Sequence, residues 1–195
     1  MDRIAKKLTN YIIKKGMIGE NERILYEYGF VLALESGLSL LICFGIACTI
    51  NMAVEGILFF IIFIPLRSYA GGLHLEHFCS CLILSCLTFS IILLFAAYVE
   101  CPLNLLVLLF GVMLLGVYVL YPVENINRRV EKVENDFFKK RLKLFLLLDF
   151  FLGSTCWIFK LEKYLMVITT TFFMVVITMF LGKYKYNRQN HSGNI

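Results

Sequence analysis

Arg67-Ser68-Tyr69-Ala70-Gly71-Gly72-Leu73-His74-Leu75-Glu76-His77-Phe78-Cys79-Ser80-Cys81 is a polar, glycine-containing stretch set between two strongly apolar runs. One run, residues 52–66, leads into it through Pro65, and the other, residues 78–99, leaves it and carries Cys81 and Cys86. Four more apolar runs lie outward of these, at about residues 29–50, 103–121, 142–159 and 163–181. Runs of about 18 apolar residues are long enough to cross a bilayer as helices. At about 1.5 Å per residue the runs at 52–66 and 142–159 are short for a core of about 30 Å, which extension by Gly/Ala-rich flanks or local thinning would accommodate. Of the 195 residues 59% are hydrophobic and 17% charged, and the charges cluster between the runs. A soluble domain is about 45–50% apolar. The expected fold is therefore all-α, a polytopic integral membrane protein of about six transmembrane helices.

Basic residues orient such a chain, because they concentrate on the cytoplasmic side. With the N-terminus inside and six spans, every one of the 19 basic residues except Lys160 and Lys163 falls on that side. The 67–77 stretch and both termini are then cytoplasmic. Residues 1–28 form a basic N-terminal segment, 29–182 one membrane-embedded domain, and 183–195 a polar tail expected to fray. Ile4, Leu8, Tyr11, Ile12 and Lys15 share one helical face, with Lys6, Lys7 and Lys14 elsewhere. That pattern suits an amphipathic helix on an anionic membrane surface, or a solvated basic lead-in. No small-residue cleavage site follows the basic segment, so the first run is expected to be retained. The net charge of +5 sits beside apolar runs, which fits membrane orientation and not nucleic acid. Seven cysteines is an odd number, and Cys43, Cys48 and Cys156 lie within apolar runs as small hydrophobes. At least one free thiol is expected, and no disulfide framework.

The 67–86 stretch holds two of the three histidines and three of the cysteines. A cysteine nucleophile needs a base near enough to take its proton and donors for a developing oxyanion. Histidine is the natural base near neutral pH. His77 and Cys81 are spaced i, i+4, adjacent on one helical face. His74 and Cys81 are spaced i, i+7, about 10 Å apart along an ideal helix, so they meet only if the chain breaks near His74. Gly71-Gly72 supplies a place for such a break. Cys79 pairs with either histidine less directly. A polar loop followed by incidental thiols is the plainer reading. A zinc site from His74, His77, Cys79 and Cys81 has suitable ligand types. Its spacing matches no common finger, and Cys79 and Cys81 point about 200° apart on a helix, so no metal or other cofactor is expected.

Arg67-x-x-Ala70-Gly71-Gly72-x-His74, with Cys81 seven residues later, resembles the accessory gene regulator B family of bacterial membrane peptidases. The likeness extends to the basic N-terminus, to Glu27-Tyr28-Gly29 before the first span, and to Pro122-Val-Glu124-Asn125-x-Asn127-Arg128 after the fourth. The resemblance implies a cysteine endopeptidase with His74 as base and Cys81 as nucleophile. His77 and Cys79 are then bystanders, and the chain breaks or re-enters near residues 71–74. It implies an accessory gene regulator D-like quorum-sensing propeptide as substrate. Cleavage passes through an acyl-enzyme thioester and leads to a thiolactone or lactone ring. It also implies a homodimer in the bacterial cell membrane.

Several other polar residues stand out. Glu35, Glu55 and Asp149 lie in or beside apolar runs, where acids face a bundle interior or a wet cavity. Glu35 is a candidate to orient a basic partner of the site or to line the substrate groove, Glu55 is expected near the outer interface in water, and Asp149 as a structural hydrogen-bonding group. Arg67 suits a substrate carboxylate, or simply marks the cytoplasmic side. Gly71 and Gly72 are candidates to shape the site, and Arg128 and Arg129 to steer an acidic substrate tail. Asn125 and Asn127 suit a helix cap. Two other classes compete: a small-solute transporter or channel subunit working through Glu35 and Asp149, and a membrane scaffold.

Overall fold

The structure is a computed structural model that describes the backbone of residues 1–71, 78–121 and 132–192 and the side chains of 1–71, 80–121 and 136–184. Seven α-helices follow one another: α1 (Asp2–Lys14), α2 (Arg23–Thr49), α3 (Ala53–Ala70), α4 (Phe78–Tyr98), α5 (Leu103–Leu120), α6 (Lys132–Ile158) and α7 (Glu162–Ser192). No strand occurs among the described residues. α2, α3, α4, α5 and α7 are each long and apolar enough to cross a membrane. Large side chains such as Leu41, Ile61, Ile83, Leu115, Val119 and Phe180 are exposed on their outer faces. Such a surface is stable only against hydrocarbon.

The fifth apolar run, at about residues 142–159, lies in α6, where Lys143 and Asp149 dilute it. α6 nevertheless crosses the bundle. Glu55 in the first turn of α3 forms an ion pair of 2.6 Å with Lys163 in the first turn of α7. Those two helices therefore start at the same end, which requires α4, α5 and α6 to make an odd number of crossings between them. Side-chain contacts give the same directions. Phe110 packs on Phe172, and Gly116 on Val176, so α5 and α7 run parallel. Gly153 of α6 meets Phe110, and Lys143 lies over Tyr118, so α6 runs against α5. The lipid-facing side of α6 carries Leu144, Leu147, Leu148, Phe151 and Ile158, as apolar as its neighbours.

α7 is the central helix, packed on α3, α4, α5 and α6. Half of its spanning window (50%) is buried in the bundle, against 11% for α2. The buried hydroxyls of Thr169 and Thr171 donate to the carbonyls of Leu165 and Val167 one turn back, at 2.8 and 2.6 Å. Such bonds satisfy a hydroxyl without water. On the other side of the bundle Phe89 of α4 stacks on Phe60 and meets Phe59 edge-on, tying α4 to α3. There α2 approaches α3 closely, because a Cβ built at Gly56 would lie 2.9 Å from the Ala47 Cβ.

Three expectations change. α3 continues through Pro65 to Ala70, and Ser68 Oγ donates to the Ile64 carbonyl at 2.8 Å beside the proline. Inside a bundle a helix tolerates the missing proline N–H. α7 extends to Ser192, so the polar tail is helical over most of its length. Glu55 is buried and ion-paired, not solvated, because α7 brings Lys163 over it.

Candidate functional site

α3 ends at Ala70, and Gly71 has φ +81° and ψ −159°, a backbone conformation that side chains strongly disfavour. The helix stops there for that reason, and the chain leaves it sharply. Arg67, in the last turn, turns its half-buried side chain toward the break, where Nη1 donates to the Gly71 carbonyl at 3.1 Å. That carbonyl is one of the acceptors a helix end leaves without an intrahelical donor. Arg67 thus caps the helix and holds the exit of the chain. Leu66 and Ala70 beside it are fully buried, and Tyr69 stacks on Phe145 of α6, so this end of α3 is held on several sides.

α4 begins at Phe78 and carries Cys81 near its amino end, as an exposed thiol. The Arg67 guanidinium and the Cys81 sulfur lie within electrostatic range of one another. The structure thus brings together Arg67, Gly71 and Cys81 of the expected site. Gly72, His74, His77, Arg128 and Arg129 lie outside the described residues, as do Asn125, Asn127 and the side chain of Cys79.

Glu35 is half-buried on α2. Cys43 of α2 and Cys86 of α4 touch, sulfur to sulfur, at 3.7 Å. Ala47, one turn further along α2, reaches the layer of Gly56 and Phe89. α2 and α4 therefore run parallel. Eight residues back from each cysteine, Glu35 comes level with Phe78, the first residue of α4. The acid thus stands at the depth where the Cys81 helix begins. Asp149 is buried on α6, one turn further into the bundle than Phe145. Glu35 and Asp149 stand on helices that share α3 as a neighbour: α2 packs on α1, α3 and α4, and α6 on α3, α5 and α7.

Tyr121, just past α5, closes the same end of the bundle. Burial raises its phenol above the ordinary range, and the charge of Asp136 on α6 adds to the effect. Two interactions were not foreseen from the sequence. Glu55–Lys163 is one, and its signal was an acid in the first turn of a span opposite one of only two basic residues at that end. Arg23 is the other, donating to both Glu20 and Asn10.

No curated protein and no solved structure matches the chain. The family model described as accessory gene regulator B matches residues 5–179, nearly the full length, and the helical membrane bundle agrees with it. The chain belongs to the accessory gene regulator B family, whose members take part in processing autoinducer propeptides at the membrane.

Proposed function

We propose that the chain is a membrane-embedded cysteine endopeptidase that cleaves a quorum-sensing propeptide and passes its acyl group on to a ring. The observation that carries this reading is Cys81, an exposed thiol near the amino end of α4 and within electrostatic range of a cation that caps the preceding helix. His74 takes the Cys81 proton, and the thiolate attacks the carbonyl at the end of the future signal. The α4 amino end and the Arg67 guanidinium both offset the negative charge that develops on the carbonyl oxygen. The imidazolium returns its proton to the departing amine, and the acidic tail leaves. A Cys or Ser within the peptide then attacks the thioester, closes a thiolactone or lactone, and restores the Cys81 thiol. Exchange of one thioester for another is nearly balanced, so a thiolactone closes without ATP. A pocket shielded by the bilayer protects the acyl-enzyme from water.

Supporting roles belong to the same proposal. Gly71 and Gly72 let the chain turn so that His74 reaches Cys81. Glu35, at the depth of the α4 start, orients a basic partner there. Arg128 and Arg129 steer the acidic tail. The chain acts as a homodimer in the bacterial cell membrane, with the Cys81 end on the cytoplasmic side.

The test uses membranes that hold the full-length protein and its propeptide, read by intact mass of both. Wild type is expected to release the tail and to carry an acyl adduct. Cys81→Ala and His74→Ala are expected to lower release by at least about 10³-fold, while His77→Ala and Cys79→Ala leave it intact. Equal processing by Cys81→Ala overturns the assignment. Unchanged processing on charge reversal at Arg128 and Arg129 removes the steering role alone.

A further inference from the structure

α1 rests on the start of α2 through its small side chains. Ala5 and Thr9 are completely buried there, and the Thr9 hydroxyl donates to the Ala5 carbonyl at 3.1 Å. Arg23 latches the two helices together. Its Nη1 donates to Asn10 Oδ1 at 2.8 Å, while Nε and Nη2 donate to the two carboxylate oxygens of Glu20 at 2.7 and 3.0 Å.

Ile12 and Ile13 are half-buried, but three large apolar side chains of α1 stand outside this seat. Ile4 is 51% exposed, Leu8 38% and Tyr11 56%, and with Met1 they form a strip beside the seat. A helix folded against its own protein in water turns such residues inward and leaves the small ones outside. Ile4, Leu8 and Tyr11 depart from that order, so the strip faces something apolar that is not this chain. Beside it the first turns of α2 expose Ile24, Leu25 and Tyr28, which join the strip to the hydrocarbon-facing wall of the bundle. Lys7 and Lys14 are exposed on the helical face that carries Asn10, next to the strip, and Lys15 Nζ stands 4.8 Å from the Tyr11 ring centroid. Arg3 and Lys6 extend the basic arc, and Asp2 is the helix's lone acid.

We propose that this strip and its lysines are a docking surface for an anionic phospholipid bilayer. Ile4, Leu8 and Tyr11 enter the acyl region, while Lys7, Lys14 and Lys15 meet lipid headgroup phosphates. Apolar insertion alone works in any bilayer. The basic arc adds a term that depends on lipid charge, worth about fivefold in partition for each lysine near an anionic surface. Through the Arg23 latch this contact fixes the headgroup plane at the end of α2 where α1 sits. The surface is independent of the chemistry at Cys81.

The test places a tryptophan in the strip of the full-length protein, Leu8→Trp, with Trp157→Phe removing the lone native tryptophan. Emission and acrylamide quenching are read in nanodiscs of pure phosphatidylcholine and of phosphatidylcholine with phosphatidylglycerol. The anionic discs are expected to give a blue-shifted, protected tryptophan that half-molar salt partly releases. With Arg3→Gln, Lys6→Gln, Lys7→Gln, Lys14→Gln and Lys15→Gln together, the two disc types are expected to give the same emission, and with Lys7→Gln, Lys14→Gln and Lys15→Gln alone the difference is expected to fall by more than half. Those side chains are all exposed, and intact helix content by circular dichroism shows that the fold survives. Identical emission from the parent in both disc types overturns the proposal. So does a lipid difference that is undiminished in the triple variant.

Discussion

Gly153 shows how tightly single residues are set in the bundle. A Cβ built there would lie 2.5 Å from Phe110 Cε1 and 2.9 Å from Cζ, and Phe110 is itself buried and held edge-on by Phe172. The ring has nowhere to retreat without disturbing α7. Gly153→Ala is therefore expected to destabilise the protein by about 1–3 kcal/mol, read as a lower Tm in detergent. Gly37 is the control, since nothing lies within 4 Å of a Cβ built there. Gly37→Ala should leave Tm unchanged or raise it, because alanine is favoured over glycine in a helix by about 1 kcal/mol. Equal losses in both variants would mean that the α5–α6 contact is not as close as drawn. The importance of Gly153 was not legible in the sequence, because it depends on a phenylalanine more than forty residues away. The same holds for Glu55, whose burial is decided by Lys163 across the bundle. Arg67, Gly71 and Cys81 were legible as a cluster. The role of Arg67 in capping α3 was not, since it depends on where the helix ends and on the positive φ of Gly71.

At the scale of elements, five of the six apolar runs fall on the five helices long and apolar enough to cross a membrane, because composition and length alone decide what can cross hydrocarbon. The sequence was less legible where packing overrides local preference, as when α3 runs through Pro65. The turns between helices show another such override. Asn51 follows α2 with φ +57°, its N–H bonds the Cys48 carbonyl at 3.2 Å, and the Met52 N–H bonds that of Ala47 at 2.8 Å. Lys160 follows α6 in the same way with φ +54°, its N–H bonding Trp157 at 3.1 Å and the Leu161 N–H bonding Cys156 at 2.8 Å. This paired arrangement is the usual left-handed helix stop, where glycine is preferred. Asparagine tolerates the conformation, but lysine is strained by about 1–2 kcal/mol. Lys160→Gly is therefore expected to stabilise the α6–α7 turn by about 1 kcal/mol, part of the strain being offset by the entropy of an unfolded glycine. Asn51→Gly should change stability much less. Thermal unfolding of both variants in one detergent checks the order. A lower Tm for Lys160→Gly would show that its side chain contributes more than the strain it carries.

Across the whole molecule the helices alternate in direction, and this sorts the charges onto two ends. α3, α5 and α7 run parallel, as the Glu55–Lys163 pair and the Phe110–Phe172 and Gly116–Val176 contacts require. One end gathers Arg23, Arg67, Lys139, Lys140, Arg141, Lys143 and Lys183 with Cys81, while the other holds Lys160 and Lys163. Glu55 pairs with Lys163, so the second end has almost no free positive charge to hold it in the cytoplasm. The expected orientation therefore keeps the basic end inside during insertion and Cys81 in the cytoplasm, the compartment where a propeptide is made. Two variants with one accessible thiol each test this. In the first, Cys81 is kept. In the second, Tyr98→Cys, at a position 80% exposed at the end of α4, replaces it. A membrane-impermeant maleimide applied to intact cells is expected to modify the thiol at position 98, and Cys81 only after permeabilisation. Labelling of Cys81 in intact cells, with position 98 modified only after permeabilisation, would invert the bundle. The six alternating helices would stand, but the propeptide would have to cross the membrane before cleavage. Because both thiols lie on α4, one at each end, no rearrangement of other helices can produce that result.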